Sequence, residues 1–151
     1  MNVELLVIGK LHEPYLRQGC QMYVQRLRTL QPVVITELRS SSKTDGIAAE
    51  GERILERVPP AATFWALDER GAQLTSLALA ARIAQVQRSG VRRFVLAIGG
   101  DRGLSEAVCE RAQFVWSLSK STFLHEMARL LVLEQLYRAA KINRGEPYHR
   151  P

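Results

Sequence analysis

Two stretches carry residue types and spacings that could do chemistry, and both lie between Phe94 and Pro151. The first is a glycine turn, Gly99-Gly100-Asp101-Arg102-Gly103, placed directly after the apolar run Phe94–Ile98. Glycines at such a point allow unusual φ/ψ and let a ligand approach bare backbone. The spacing is not the G-x-G-x-x-G of a dinucleotide fold, and no Gly-Lys-Ser/Thr closes it as in a P-loop. Taken alone, it suits a tight strand-to-helix turn as well as a cofactor loop. Ser119-Lys120-Ser121-Thr122 follows a second apolar run and offers hydroxyls and backbone N–H groups at a helix start. Plain N-capping by Ser121 or Thr122, with Glu126 as capping-box partner, is the structural alternative. The second stretch is the tail Pro147-Tyr148-His149-Arg150-Pro151. A tail of this kind usually frays. If ordered, its His, Tyr and Arg could contact an anionic substrate or shape a proton transfer. On the helix between the two stretches, His125 and Arg129 are one turn apart and share a face. No Ser/His/Asp or Cys/His nucleophile set is evident, and three scattered histidines give no metal-ligand spacing.

These groups need a frame, and the apolar pattern supplies one. Val3–Ile8, Val33–Leu38, Thr63–Leu67, Phe94–Ile98 and Phe114–Leu118 read as five short apolar strands, the second with β-branched residues concentrated in it. Helical spacing recurs over Glu13–Leu30, Ile47–Val58, Ser76–Arg88, a segment opening at an N-cap Ser105, and Phe123–Ile142. Asp68-Glu69-Arg70-Gly71 reads as a turn after the third strand, and Arg39–Asp45 as the most loop-like piece. Strands alternating with helices predict an α/β fold with a parallel sheet covered on both faces. Ligands in such sheets bind beyond the C-terminal strand ends, where the glycine and serine segments fall.

At 151 residues the length fits one domain with a sizeable core. Twenty-one Lys+Arg against 15 Asp+Glu give a net charge of +6 and a pI near 9.8. A basic domain can approach polyanions, RNA first, although a solubilising surface would look the same. Arginine dominates, and its planar fork suits phosphate. Cys20 and Cys109 form no disulfide framework and read as small buried hydrophobes in a reducing compartment. No run approaches the length of a membrane span, and Met1–Gly9 lacks the basic flank and apolar length of a signal peptide, so a cytoplasmic location is expected.

Taken in order, Ile98-Gly99-Gly100-x-x-Gly103-Leu104-Ser105, Trp116-Ser117-Leu118-Ser119, His125 with Arg129, Glu134-Gln135-Leu136-Tyr137-Arg138-Ala139 and Pro147-Tyr148-His149-Arg150 resemble the ribosomal RNA large subunit methyltransferase H family, a small branch of the SPOUT methyltransferases. The resemblance spans the whole chain. It implies one domain over residues 1–151, with a deep trefoil knot over about residues 94–151 that threads the last helix through a loop. Knots are otherwise rare. It implies a homodimer that binds S-adenosylmethionine, releases S-adenosylhomocysteine, and methylates N3 of a pseudouridine in 23S ribosomal RNA on the assembled ribosome.

Carried over by position, the cofactor contacts are Leu67, Gly100, Ser119, Lys120, Ser121, Thr122, Phe123 and Leu124. The catalytic side comes from Tyr148, His149 and Arg150 on the tail of the dimer partner, with Arg129. His149 is the expected proton acceptor or orienter, and Arg150 or Arg129 the charge stabiliser. Two departures stand out: Leu124 where members usually have Pro, and Asp101-Arg102 where they commonly have Pro-Glu. The rival readings are a knotted protein that binds ribosomes or RNA without catalysis, and a methyltransferase acting on transfer RNA.

Overall fold

In a computed structural model, residues 1–42 and 44–150 are described. Lys43, inside the expected 39–45 loop, and the terminal Pro151 of the tail lie outside the described residues. Strands and helices alternate: β1 Asn2–Ile8, α1 Pro14–Leu27, β2 Val33–Leu38, α2 Gly46–Arg57, β3 Thr63–Gln73, α3 Ser76–Arg88, β4 Arg93–Ile98, α4 Glu106–Arg111, β5 Phe114–Ser117 and α5 His125–Arg144. The five strands form one sheet in the order β2-β1-β4-β3-β5, and every pairing is parallel.

The period-2 alternation of strand side chains divides the core in two. Val3, Leu5 and Val7 of β1 and Phe94, Leu96 and Ile98 of β4 point to one face, where they meet Cys20 and Leu27 of α1, Leu79 of α3 and Val132 and Leu136 of α5. Leu6, Ile8, Val95 and Ala97 point to the other, against Ile54 of α2 and Val108 of α4. Because β1 and β4 are buried on both faces, they read as continuous apolar runs, as a covered parallel sheet requires.

One expectation from sequence needs correction, and one structural alternative is not adopted. Asp68–Gly71 is not a turn that ends a strand. β3 continues to Gln73, and both Leu67 and Ala72 register against Trp116 of β5, so the polar residues form a bulge inside the strand. Gly71 permits this: a Cβ there would lie 2.4 Å from the carbonyl oxygen of Val115. At α5 the capping box does not form. The helix begins at His125 with Leu124 as N-cap and no side-chain cap, because the polar groups are engaged elsewhere. Thr122 Oγ1 donates to Glu69 at 3.0 Å, Ser119 Oγ accepts from the Ser121 N–H at 3.0 Å, and the Glu126 carboxylate accepts from the N–H groups of His12 and Glu13. By contrast, Ser105 caps α4 as its sequence predicts, accepting from Val108 N–H at 3.3 Å.

Candidate active site

The parallel sheet brings the C-terminal ends of its strands to one edge, and two clefts open there. The first, of about 520 Å³, gathers Leu67 and the Asp68–Arg70 bulge from β3, the Ile98–Leu104 turn after β4, Leu118–Ser119 and Ser121–Phe123 after β5, and His125 and Ala128 from α5. Its size is in the range of small-molecule sites. Leu67, Gly100, Ser119, Ser121, Thr122 and Phe123 are thus brought together as their motifs predict. Lys120 and Leu124 are exposed and do not line it.

The glycine turn shapes one wall. Gly103 N–H donates to Gly100 O at 3.0 Å, and Gly103 has φ +82°, a left-handed conformation that favours glycine. A Cβ on Gly99 would lie 2.4 Å from the Gly103 carbonyl. The turn therefore presents backbone to the cleft.

The bulge supplies charge. Arg70 holds Asp68 through Nε–Oδ1 at 2.8 Å and Nη2–Oδ2 at 3.1 Å. Burial pushes the Asp68 carboxyl up, but the Arg70 hydrogen bonds and charge outweigh it and hold the group below its ordinary value. Asp68 thus stays an anion at neutral pH. Glu69 and Asp101 add carboxylates beside it. His125 Nδ1 is buried with no hydrogen-bond partner among the described residues, an expensive state for a polar atom beside a ligand-sized cleft. Sequence reasoning missed Glu69 and Arg70 as lining residues, although their place at a C-terminal strand end was a usable signal.

Arg129 departs from its expected place. Ala128 lines the first cleft, but Arg129, one residue on, lines the second. There it is only 2% exposed, with Nη1 on Glu37 at 2.8 Å and Nη2 on the Gly9 carbonyl at 3.1 Å. Helical rotation of about 100° per residue sends neighbours to different surroundings.

The tail is ordered, and a side-chain network orders it. Tyr148 OH donates to Glu134 at 3.1 Å and lies 3.3 Å from the Tyr23 hydroxyl, its ring is edge-on to Tyr137, and Arg138 stacks 4.7 Å from its centroid. Burial first, then Tyr23 and Glu134, push the Tyr148 phenol well above its usual value, so it remains a neutral donor. Arg138 bonds Glu134 at 2.6 Å and His149 Nδ1 at 3.2 Å. A guanidinium can only donate, so Nδ1 accepts and the ring proton sits on Nε2. Arg150 is exposed. None of Tyr148, His149 or Arg150 lines the first cleft of its own chain. Their anchor, Glu134, sits about 13 Å along α5 from His125.

The chain matches the family model described as a SPOUT methyltransferase over residues 1–149. It is 43% identical to the ribosomal RNA large subunit methyltransferase H of Geobacter metallireducens, with 99% of each chain covered. It is 41% identical to that of Trichlorobacter lovleyi, again over 99% of each, and 39% to that of Bacillus pumilus, over 99% of this chain and all of the relative. Among solved structures, a protein of Haemophilus influenzae described as a probable methylase family member superposes with a TM-score of 0.58 at 12% identity, covering 99% of this chain and 71% of that one. A Bordetella pertussis protein gives 0.57 at 15%, covering 92% and 94%. This chain belongs to the SPOUT methyltransferase family, and it is a methyltransferase. No helix among the described residues is long and apolar enough to cross a membrane, and no His/Cys/Asp/Glu cluster among them could hold a metal ion.

Proposed function

We propose that the protein methylates N3 of a pseudouridine in 23S ribosomal RNA on the assembled ribosome, in the cytoplasm, as a homodimer using S-adenosylmethionine. The reading extends to a single domain over residues 1–151, knotted over about residues 94–151. The observation that carries it is the convergence of Leu67, the Gly99–Gly103 turn, Ser119 and Ser121–Phe123 on one cleft, in a chain 39–43% identical to three proteins named for ribosomal RNA methylation.

The first cleft fits the cofactor. Its bare glycine backbone, the apolar Leu67, Ile98, Leu104 and Leu118, and the carboxylates of Asp68, Glu69 and Asp101 match a nucleoside joined to a cationic amino-acid arm. The unpartnered His125 Nδ1 gives it one more polar contact. Leu67, Gly100, Ser119, Ser121, Thr122 and Phe123 would hold it, while Lys120 and Leu124 act through the shape of the loop. When bound, S-adenosylmethionine supplies a methyl group already activated on a sulfonium. The net reaction replaces N3–H of the base by N3–CH3 and releases a proton and S-adenosylhomocysteine.

What the chain itself must do is align the nitrogen with the methyl group and support loss of the N3 proton. Each chain's tail is anchored away from its own cleft, which supports its use on the cleft of the partner subunit. With Nδ1 of His149 engaged by Arg138, the group His149 presents is Nε2–H. It orients the base or its carbonyl oxygen as a donor, and the exposed Arg150 adds the cation that favours charge on the ring. Arg129, buried on Glu37, is left to hold the loop after β1.

Calorimetric titration with S-adenosylmethionine tests the cleft, with micromolar binding, roughly −8 kcal/mol, expected. Methyl transfer to ribosomes then tests the tail. His149→Ala lowers kcat about 100-fold, the usual weight of one oriented donor, and leaves cofactor affinity intact. An unchanged kcat would remove His149 from the chemistry.

A further inference from the structure

The second cleft is larger, about 710 Å³, and lies between α1 and the C-terminal half of β2, closed by the loop Lys10–Leu11–His12. Its floor is apolar, with Cys20, Val24 and Ile35. Its rim is not: Lys10, Arg17, Arg28 and Arg129 face it against one carboxylate, Glu37. That carboxylate is already bonded to Arg129 at 2.8 Å. Arg129 nevertheless keeps a buried Nε without a partner among the described residues. Lys10 and Arg28 have no carboxylate within ion-pair distance among the described residues. The loop that carries Lys10 is fixed rather than trailing. Arg17 Nη2 donates to Leu11 O at 2.7 Å, and the buried Glu126 accepts from His12 and Glu13 N–H.

We infer that this cleft is a subsite for the phosphate backbone of the RNA substrate. The inference rests on the RNA-methylating function proposed above and says where that RNA is gripped. Three features favour a phosphodiester chain. Lys10, Arg17 and Arg28 are exposed side-chain cations rather than a nest of backbone N–H groups, the arrangement that follows a polyanion without reading its sequence. Arg17 of α1 and Arg28 at its C-cap stand on one stripe, eleven residues and about 16 Å apart, a length that several consecutive phosphates fill. The cleft also opens on the sheet edge that carries the first cleft, with Ala128 in one wall and Arg129 in the other. A strand gripped here continues over the first turn of α5 toward the methyl-transfer site.

The test uses the full chain and 70S ribosomes. Binding of wild type and of a Lys10→Gln/Arg28→Gln variant is followed by co-sedimentation through a KCl series. The variant is expected to bind at least tenfold more weakly at low salt, with the log–log salt slope flattened by about one per cation removed. KM for ribosomes rises, while kcat and calorimetric affinity for S-adenosylmethionine stay within twofold. Lys10→Arg/Arg28→Lys restores the slope. Arg88→Gln, an exposed change in the last turn of α3 outside the lining of this cleft, leaves it unaltered. A double variant with wild-type slope and affinity overturns the subsite and leaves the proposed function standing. Absence of salt-dependent binding by the wild type itself overturns both. If the double variant loses cofactor affinity, the single variants decide, each expected to give half the change in slope.

Discussion

The two clefts share a sheet edge and a helix, yet they are built of different materials. The first is made of backbone and loop: a glycine turn, a bulge and the segment after β5, with three carboxylates and two arginines around it. The second is made of long side chains on a helix face and a strand, with cations at its rim. Backbone-built sites hold a shape that one Cβ can spoil. Side-chain-built sites lose charge in increments and tolerate single changes. A small preformed ligand suits the first, and an extended polyanion suits the second.

The strongest way to break this contrast is Gly99→Ala. Its methyl group would collide with the Gly103 carbonyl, and overpacking of this kind costs about 1–3 kcal/mol. Cofactor affinity measured by calorimetry should fall up to about 100-fold, while ribosome binding is retained. Wild-type affinity would mean the turn does not form the wall.

Next comes Glu37→Gln, which strips the buried Arg129 guanidinium of its counter-charge. Because the Glu37 side chain is 40% exposed, water discounts the usual loss to about 2 kcal/mol. That corresponds to a Tm some 4–8 °C lower by scanning calorimetry. Cofactor affinity should not move. A variant as stable as wild type would show that the pair is not what fixes Arg129.

Glu126 sharpens the contrast through pH. Burial works to raise its carboxyl, but the N–H groups of His12 and Glu13 and the neighbouring imidazoles win and hold it below the ordinary value of 4.5. A carboxyl lowered on folding contributes stability above its unfolded pKa and loses it as pH falls through the folded one. Wild type should therefore lose stability on acidification below about pH 4.5 more steeply than Glu126→Gln. Urea titrations at stepped pH would show parallel curves if this carboxylate were idle.

The smallest effect expected is a gain. Leu124 precedes α5 with φ −54°, close to the value proline imposes. Leu124→Pro should stabilise the chain by about 0.5 kcal/mol through the unfolded state and tighten cofactor binding no more than a few-fold. A loss of binding would mean that the Leu124 N–H is needed.

How much of this was legible before folding varies residue by residue. The strands were, because runs such as Leu5–Ile8 and Val95–Ile98 can be buried on both faces only in a covered parallel sheet. The glycine turn and the serine segment were, because their motifs sit where strands end. Asp68–Gly71 was misread, since a bulge and a turn use the same polar and glycine residues. Only the pairing of β5 with both ends of that segment separates the two. The cap of α5, open as an alternative in the sequence, does not form for a related reason: Thr122 and Glu126 found partners in Glu69 and in the loop after β1.

The α1–β2 cleft was hidden altogether. Lys10, Arg28 and Arg129 are too far apart along the chain for any motif, and nothing in a helical repeat tells that Arg129 turns away from His125's cleft toward Glu37. Local chemistry, written in neighbouring residues, was determined by the sequence alone: the alternating elements, the left-handed Gly103, the Ser105 cap and the order of motifs that marks the family. Which charges meet, which cation is buried, and which side of α5 faces the first cleft or the second were decided by the tertiary structure. These depend on contacts between residues as distant as Gly9 and Arg129, which exist only once the sheet has brought its strand ends to one edge.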